Sequence, residues 1–395
     1  MLRSDPTPYR RLAAIYFAYF AFIGAFSPYF ALYLQSIGQA AWQIGLLLAL
    51  MQLMRTLAPF AWATLADRHG WRARLLQATL PAALAVYAGL FAVTSFAGLF
   101  VVLAVFALFS SATMPLVESI TLASLKDRIE RYGGIRLWGS VGFIASVLGV
   151  GWLLDRVAIG NLLWMLVVPL AATLFLACSL RDASDRGPAP HEPIWAHAVR
   201  PEVLIVLAAN VLMNIAHGPL YAFYSIYLAE VGYSKTAIGL LWSLGVIAEI
   251  AIFLAAPRWM NRFAAHAVLT ASVAAAVVRF ALIGWGVASP PLLVLAQLLH
   301  AATFGACHMA SLALVNRWFT GARQVRGQAL YLSLAFGAGG FVGAAASGAL
   351  WDAVGPVWTF TAASGVAAIG LLLLAGGAKL LHRASRSTAD AASTL

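Results

Sequence analysis

Charge is what this chain of 395 residues has least of: Asp, Glu, Lys and Arg together make up 10% of it, against 62% hydrophobic residues. Soluble globular chains carry roughly a quarter charged residues, so a soluble domain is excluded. Cysteine is scarcer still. Cys178 and Cys307 are the two present, and both fall inside apolar runs, which leaves no disulfide framework. Acid is rare as well, with 14 Asp and Glu against 25 Lys and Arg, and only three of those bases are lysines, the bias of a GC-rich bacterial genome. The opening MLRSDPTPYRRLAAIYFAYF enters apolar sequence without a small-residue cleavage site, so no removable signal peptide is expected. No nucleophile elbow, phosphate loop or metal-ligand cluster is present, which argues against an enzyme and leaves no cofactor or metal to expect.

Apolar runs are what the sequence has in abundance. They lie near 11–34, 42–64, 75–95, 98–124, 135–154, 161–180, 201–229, 236–257, 267–288, 291–316, 327–350 and 357–378. Runs of about 20 residues cross a hydrocarbon core of about 30 Å as helices. The chain therefore reads as an all-α polytopic membrane protein with twelve transmembrane helices, its surroundings a lipid bilayer. The formal charge of +11 is no nucleic-acid footprint, because 20 of the 25 bases fall on one side of the spans. They are Arg3, Arg10, Arg11, Arg68, Arg72, Arg74, Lys126, Arg128, Arg131, Arg181, Arg186, Arg200, Arg258, Arg262, Arg317, Arg323, Arg326, Lys379, Arg383 and Arg386. Only Arg156 and Lys235 sit opposite. The excess puts both termini and the even-numbered connections in the cytoplasm of a bacterial inner membrane.

The chain also repeats itself. YLQSIGQAAWQIGLLLAL at 33–50 aligns without gaps on YLAEVGYSKTAIGLLWSL at 227–244, an offset of 194, with eight coincident residues; GWLLD at 151–155 and GALWD at 348–352 agree at a nearly equal offset. Two six-helix halves follow, residues 1–180 and 201–385, joined by the polar cytoplasmic linker 181–200 and followed by a tail, 386–395. Parallel repeats about an axis along the membrane normal are the layout of major facilitator transporters. LADRHGWRAR resembles that superfamily's cytoplasmic motif between its second and third helices, with Asp67, Arg68, Gly70 and Arg72 in place and Ala63 where a glycine usually leads. The second-half counterpart PRWMNRF keeps Arg262 and has Asn261 where the acid would stand.

An ionisable group at membrane depth costs at least about 2.5–3.5 kcal/mol and so faces a cavity or a partner. Arg55, Glu118, Arg136, Glu249 and Arg279 qualify, with His217, His300 and His308. Glu118 and Arg136 lie on consecutive helices near their cytoplasmic junction, where they could meet or share a ligand. Arg55 and Glu249 are separated by the repeat offset. Opposite charges at equivalent positions suit a shared ligand or a direct salt bridge. Asn210, Asn214, His217, Tyr221 and Tyr224 form one polar stripe on the seventh helix, facing either a cavity or another helix. Tyr19, Phe26, Tyr29, Trp138 and Trp242 could stack on a ring or simply pack. His300 and His308 are eight residues apart with no third ligand near, which is not a metal spacing.

PLVES, YGGIRLWG and FIGAFSPYFALYL resemble the lactose permease branch of proton symporters. That resemblance implies that Glu118 and Arg136 stand where the branch binds sugar. His300 matches its tenth-helix histidine and Arg279 its ninth-helix arginine, while Thr303 replaces the carboxylate that carries the proton there. Glu249 is the one second-half membrane carboxylate left, so the proton role moves to it. GLLWSLGVIAEIAIF, VLAQLLHAATFGACHMA and IRLWGSVGF resemble the phenylpropionate permease family more closely. The implied activity is proton-coupled uptake of an aromatic carboxylate by alternating access. On this reading Glu118, Arg136, Arg55, Asn214, His217 and Tyr221 bind substrate, while Glu249, Arg279 and His300 couple the proton. Symport of a sugar or nucleoside, efflux of a small molecule and a non-transporting sensor are the alternatives; no oligomeric partner is implied.

Overall fold

The computed structural model describes residues 7–125, 128–182, 194–260 and 262–383. Arg3, Lys126, Arg186, Asn261, Arg386, the centre of the linker and the tail 386–395 lie outside the described residues, as does the side chain of Asp67. The chain is a succession of helices: α1 Thr7–Ser36, α2 Ala41–His69, α3 Arg72–Tyr87, α4 Phe96–Ser110 resuming at Thr113–Leu125, α5 Tyr132–Leu154 and α6 Leu162–Ala177. A polar connection leads to α7 Pro201–Ala216 resuming at Gly218–Glu230, α8 Lys235–Trp259 and α9 Ala265–Gly286. Helix α10 runs Pro290–Leu298 and Cys307–Trp318 around a π-helical stretch, Ala301–Ala306; α11 covers 324–354 with a second π-helical stretch, Ser333–Gly339, and α12 covers 356–376.

Among the described residues eleven helical stretches are long and apolar enough to cross a membrane. The last, Gln324–Gly376, is 53 residues long. At 1.5 Å per residue it would reach about 80 Å, far beyond one hydrocarbon core. It is broken at Gly355, whose φ of 78° leaves the helical region, immediately before Pro356. Counting the two sides of that break separately gives the twelve spans. Prolines also explain two internal breaks. Pro115 has no N–H to offer Ser111 O, and Pro219 none to offer Ile215 O, and each helix is interrupted in the turn before its proline.

The helices form two compact units, residues 1–188 with 228–243 and residues 189–227 with 244–395. In the first, α1 packs along α5 and α6. Gly24 allows this, because a Cβ there would fall 2.5 Å from Phe143 O on α5. In the second, α7 packs along α11 and α12, and Gly218, offset from Gly24 by the 194 residues of the repeat, lies against the backbone of Gly343. The segment 228–243, the end of α7 and start of α8, packs in the first unit. Asp155, just past α5, caps α8 by accepting Lys235 N at 2.7 Å, Thr236 N at 2.9 Å and the Thr236 hydroxyl at 2.5 Å. Partial desolvation would raise the Asp155 carboxyl, but these bonds and the Lys235 charge outweigh it and hold it below the usual carboxylate range.

Candidate functional site

In the first unit, Glu118 projects from α4 and Arg136 from α5, both half-buried. The Tyr132 hydroxyl donates to Glu118 Oε1, and Tyr16 of α1, wholly buried, stands beside Thr121 and Tyr132 and within reach of both charges. Among the described residues Glu118 and Arg136 make no direct ion pair. Instead the Arg136 guanidinium lies over the Phe20 ring, 4.2 Å from its centroid, with the Tyr16 ring at 6.0 Å. A cation held on a ring face keeps its in-plane N–H donors, and no described residue uses them. The arrangement can thus present a guanidinium fork to a ligand while Glu118 keeps acceptor capacity beyond its tyrosine. Of the aromatics singled out from sequence, Phe26 stacks on Phe30 and Tyr29 donates to Val147 O (2.8 Å) or Lys235 O (3.0 Å), so both are packing residues. Trp138, at 46% exposure, is open.

The second unit holds a different object. Arg279 on α9 has no exposed surface at all. Its Nε donates to Ala296 O at 2.8 Å, just ahead of the point where α10 leaves α-helical geometry, and its Nη1 donates to the Thr303 hydroxyl at 2.9 Å. Nη2 reaches Gln297 Oε1 at 3.5 Å and Nη1 also faces His217 Nε2 at 3.4 Å. An arginine can only donate, so Nε2 of His217 is the acceptor and its proton sits on Nδ1, which donates to Met213 O at 2.8 Å. Glu249 on α8 approaches the same group: its Oε2 lies 3.7 Å from His300 Nε2, with side-chain exposures of 19% and 11%. Tyr221 stacks on His217 and feels the charges of Arg279 and Glu249. Glycines set the spacing of α8 and α10. A Cβ at Gly305 would come 2.9 Å from Ile252 Cγ2 and 3.3 Å from Glu249 Cγ, and one at Gly245 would meet Gln297 Oε1 at 3.2 Å and His300 Cδ2 at 3.3 Å.

The candidate residues therefore sort into separate groups. Glu118 and Arg136 share one cluster; His217, Tyr221, Glu249, Arg279 and His300 share another, with His217 enclosed as an arginine partner. Asn210 accepts from the Ser311 hydroxyl at 2.9 Å and ties α7 to α10, and Asn214 donates to Asn210 O at 3.0 Å. Arg55 joins neither cluster; it lies at the middle of α2 beside a crevice against α4. In the loop motif, Gly70 ends α2 in the left-handed region at φ 68°, which only glycine adopts without strain. The start of α3 is capped by Asp182, which accepts Ala73 N at 2.5 Å and lies 3.8 Å from Arg74 Nε. Sequence reasoning passed over Tyr132, Tyr16 and Phe20, although Tyr132 opens the YGGIRLWG stretch, and nothing local marks the π-helical turn after His300.

Comparison with known proteins agrees with this architecture. Residues 9–362 match the model of the MFS_1 like family. The chain is 34% identical over 338 residues, 83% of this chain and 87% of the relative, to an Escherichia coli (strain K12) protein named "Probable 3-phenylpropionic acid transporter". It is 30% identical to the maltose permease of Geobacillus stearothermophilus over 63% of this chain and 64% of that one. The crystal structure of the nucleoside transporter NupG superposes with a TM-score of 0.79 at 16% identity, covering 93% of this chain and 98% of that one, a likeness of fold. The chain is a multi-pass membrane protein that belongs to the MFS_1 like family of the major facilitator superfamily, a secondary transporter of small molecules and not an enzyme.

Proposed function

We propose that this transporter takes up a small aromatic carboxylate together with a proton by alternating access, and that Glu249 carries the proton. The observation that carries the reading is the second-unit cluster, in which a carboxylate lies 3.7 Å from an imidazole in the same unit as a wholly buried arginine. Charge is costly at membrane depth, so the proton on Glu249 is governed by the groups facing it. Arg279 is fixed by Ala296, Thr303, Gln297 and His217, and His300 meets the carboxylate directly. The first-unit cluster serves recognition, where the guanidinium of Arg136 receives a substrate carboxylate by charge-assisted hydrogen bonds. The name of the Escherichia coli relative supports an aromatic acid as the substrate. A second reading, a sugar taken by Glu118, Tyr132 and Arg136, is favoured by the maltose permease likeness.

The same reading includes two six-helix halves, 1–180 and 201–385, in a bacterial inner membrane with both termini in the cytoplasm, and conformational control by the 67–72 motif. The test is uptake into proteoliposomes under an imposed pH difference, acidic outside. Labelled 3-phenylpropionate should accumulate above its external concentration and a protonophore should abolish the accumulation; maltose and uridine should not accumulate. Accumulation of maltose or uridine alone, or passage of 3-phenylpropionate indifferent to the pH difference, overturns the reading.

A further inference from the structure

His308 is an ionisable group at membrane depth that neither cluster uses. It stands eight residues beyond His300 on α10, toward the end marked by Arg317, and is half-buried. A group of this kind is costly there unless it has a partner or a task. Its Nδ1 lies 3.1 Å from the Tyr331 hydroxyl of α11, and no described residue bonds its Nε2. The proton on that ring is placed from Asn210. The Asn210 amide nitrogen donates to Val206 O at 2.8 Å, so its Oδ1 faces α10 and accepts the Ser311 hydroxyl. Ser311, its proton committed, offers an acceptor to the Tyr331 hydroxyl beside it. Tyr331 then donates to Ser311 and accepts Nδ1–H from His308, which leaves Nε2 a bare acceptor. No charged side chain among the described residues acts on His308, whereas Glu249, Arg279 and His217 surround His300.

One ring separates the two histidines. Phe304 stacks on His300 at 5.3 Å between centroids and on His308 at 6.5 Å, with interplanar angles of 14° and 16°. It sits in the π-helical stretch Ala301–Ala306, where every other residue is alanine, threonine or glycine, and Gly305 beside it packs against Glu249. The π-helical stretch of α11 carries the same Phe–Gly–Ala triplet, and its Phe336 meets Phe304 edge-on at 6.1 Å. Such i→i+5 turns recur at functional sites, and the small neighbours on its own helix leave the Phe304 ring free to change rotamer. A phenyl ring has no proton to give and no lone pair to take one, so it blocks transfer while it stands there. His300 is placed to pass a proton on, since Nε2 faces Glu249 and the buried Nδ1 has no described partner. We infer that His308 is a second protonation site, which takes at Nε2 the proton that Glu249 releases, and that the Phe304 ring is the gate between them. The carboxyl O–H of Glu249 breaks, the proton passes through His300 and water admitted by the displaced ring, and an N–H forms at His308 Nε2. The imidazolium then gives that proton to the cytoplasm. The inference rests on the reading of Glu249 as the proton carrier and adds where its proton goes.

The test uses full-length protein in proteoliposomes of uniform orientation, as wild type, His308→Gln, Tyr331→Phe, Phe304→Ala and Phe304→Leu. Uptake of 3-phenylpropionate driven by an imposed pH difference is followed while the pH on the cytoplasmic face is stepped through the histidine range. Net uptake needs proton release and exchange does not. His308→Gln should therefore slow uptake about tenfold and lose its dependence on that pH, while exchange of external for internal substrate keeps the wild-type rate. Tyr331→Phe removes an acceptor that favours the imidazolium and should move the midpoint of the profile to lower pH. Phe304→Ala should admit protons without substrate, read by a pH dye trapped in the vesicles, and Phe304→Leu, a plug of similar size, should not. A wild-type pH profile in His308→Gln overturns the site, as does loss of exchange together with uptake. A proton-tight Phe304→Ala that still exchanges substrate overturns the gate. The reading of Glu249 stands in each of these cases. If the wild type accumulates nothing under the pH difference, proton coupling itself fails and the site falls with it.

Discussion

Arg136 and Arg279 are both intramembrane arginines, and the two units hold them in opposite ways. Arg136 is half-buried, rests on the face of Phe20 and commits none of its N–H groups to a described residue. Arg279 has no exposed surface, and four protein groups from α7 and α10 take its donors. On the proposed reading, a charge that must meet a ligand keeps its hydrogen bonds in reserve, while one that sets the field for a neighbour has four of its five N–H groups turned to protein acceptors. The carboxylates follow suit. Glu118 is oriented by a tyrosine hydroxyl, whereas Glu249 faces an imidazole in a unit with a fixed positive charge.

The largest effect expected is at Arg279. Replacement by leucine strands Gln297 Oε1 and takes a donor from Ala296 O and from the Thr303 hydroxyl, which keeps only its 3.5 Å bond to His300 O. A buried group left unsatisfied costs about 1–3 kcal/mol, so Arg279→Leu should lower the melting temperature sharply whatever ligand is present. A protein of wild-type melting temperature would break the comparison. Arg136→Lys and Glu118→Gln should do the reverse. Their melting temperatures should stay within what about 1 kcal/mol produces, while affinity for 3-phenylpropionate falls tenfold or more as the fork or its partner is lost; unchanged affinity would make that cluster a structural pin. A smaller effect is expected at Gly305, where alanine must crowd Ile252 and Glu249 at a cost of about 1–3 kcal/mol. Gly305→Ala should slow proton-driven uptake severalfold without weakening substrate binding in the first unit, as stopped-flow uptake and equilibrium binding would show together. The smallest lies at Asp155. Asparagine there should cost about 1 kcal/mol at pH 7. The folded carboxyl sits below its unfolded value, so its contribution is present above about pH 4 and disappears as pH falls through the folded value. Melts of wild type and Asp155→Asn should therefore converge in acid, and a gap constant with pH would show that the charge is irrelevant.

The spans were legible because hydropathy and length are local properties, and the basic bias and the 194-residue repeat are read along the chain. The breaks at Pro115 and Pro219 were available to the same reading, since a proline inside a helical run always forfeits one bond. What was illegible is tertiary. That His217 serves Arg279, 62 residues away, follows from how α7, α9 and α10 pack, and the stripe on α7 alone fits a cavity wall equally well. Arg136 and Glu118 read as natural partners because they flank one short connection, yet the ring of Phe20 on α1 takes the arginine and Tyr132 takes the carboxylate. The π-helical turn Ala301–Ala306 shifts the register of α10 after His300, and no residue in it announces that shift.

The division of labour between the units is tested most directly at Glu249. Fixed neutral, it can neither load nor release a proton, so the carrier can exchange substrate but cannot return empty. In proteoliposomes Glu249→Gln should fail to accumulate 3-phenylpropionate under an imposed pH difference, yet exchange external for internal substrate at close to the wild-type rate. Accumulation against a gradient by that variant, driven by the pH difference, would contradict the account and move the proton to Glu118 or to a histidine.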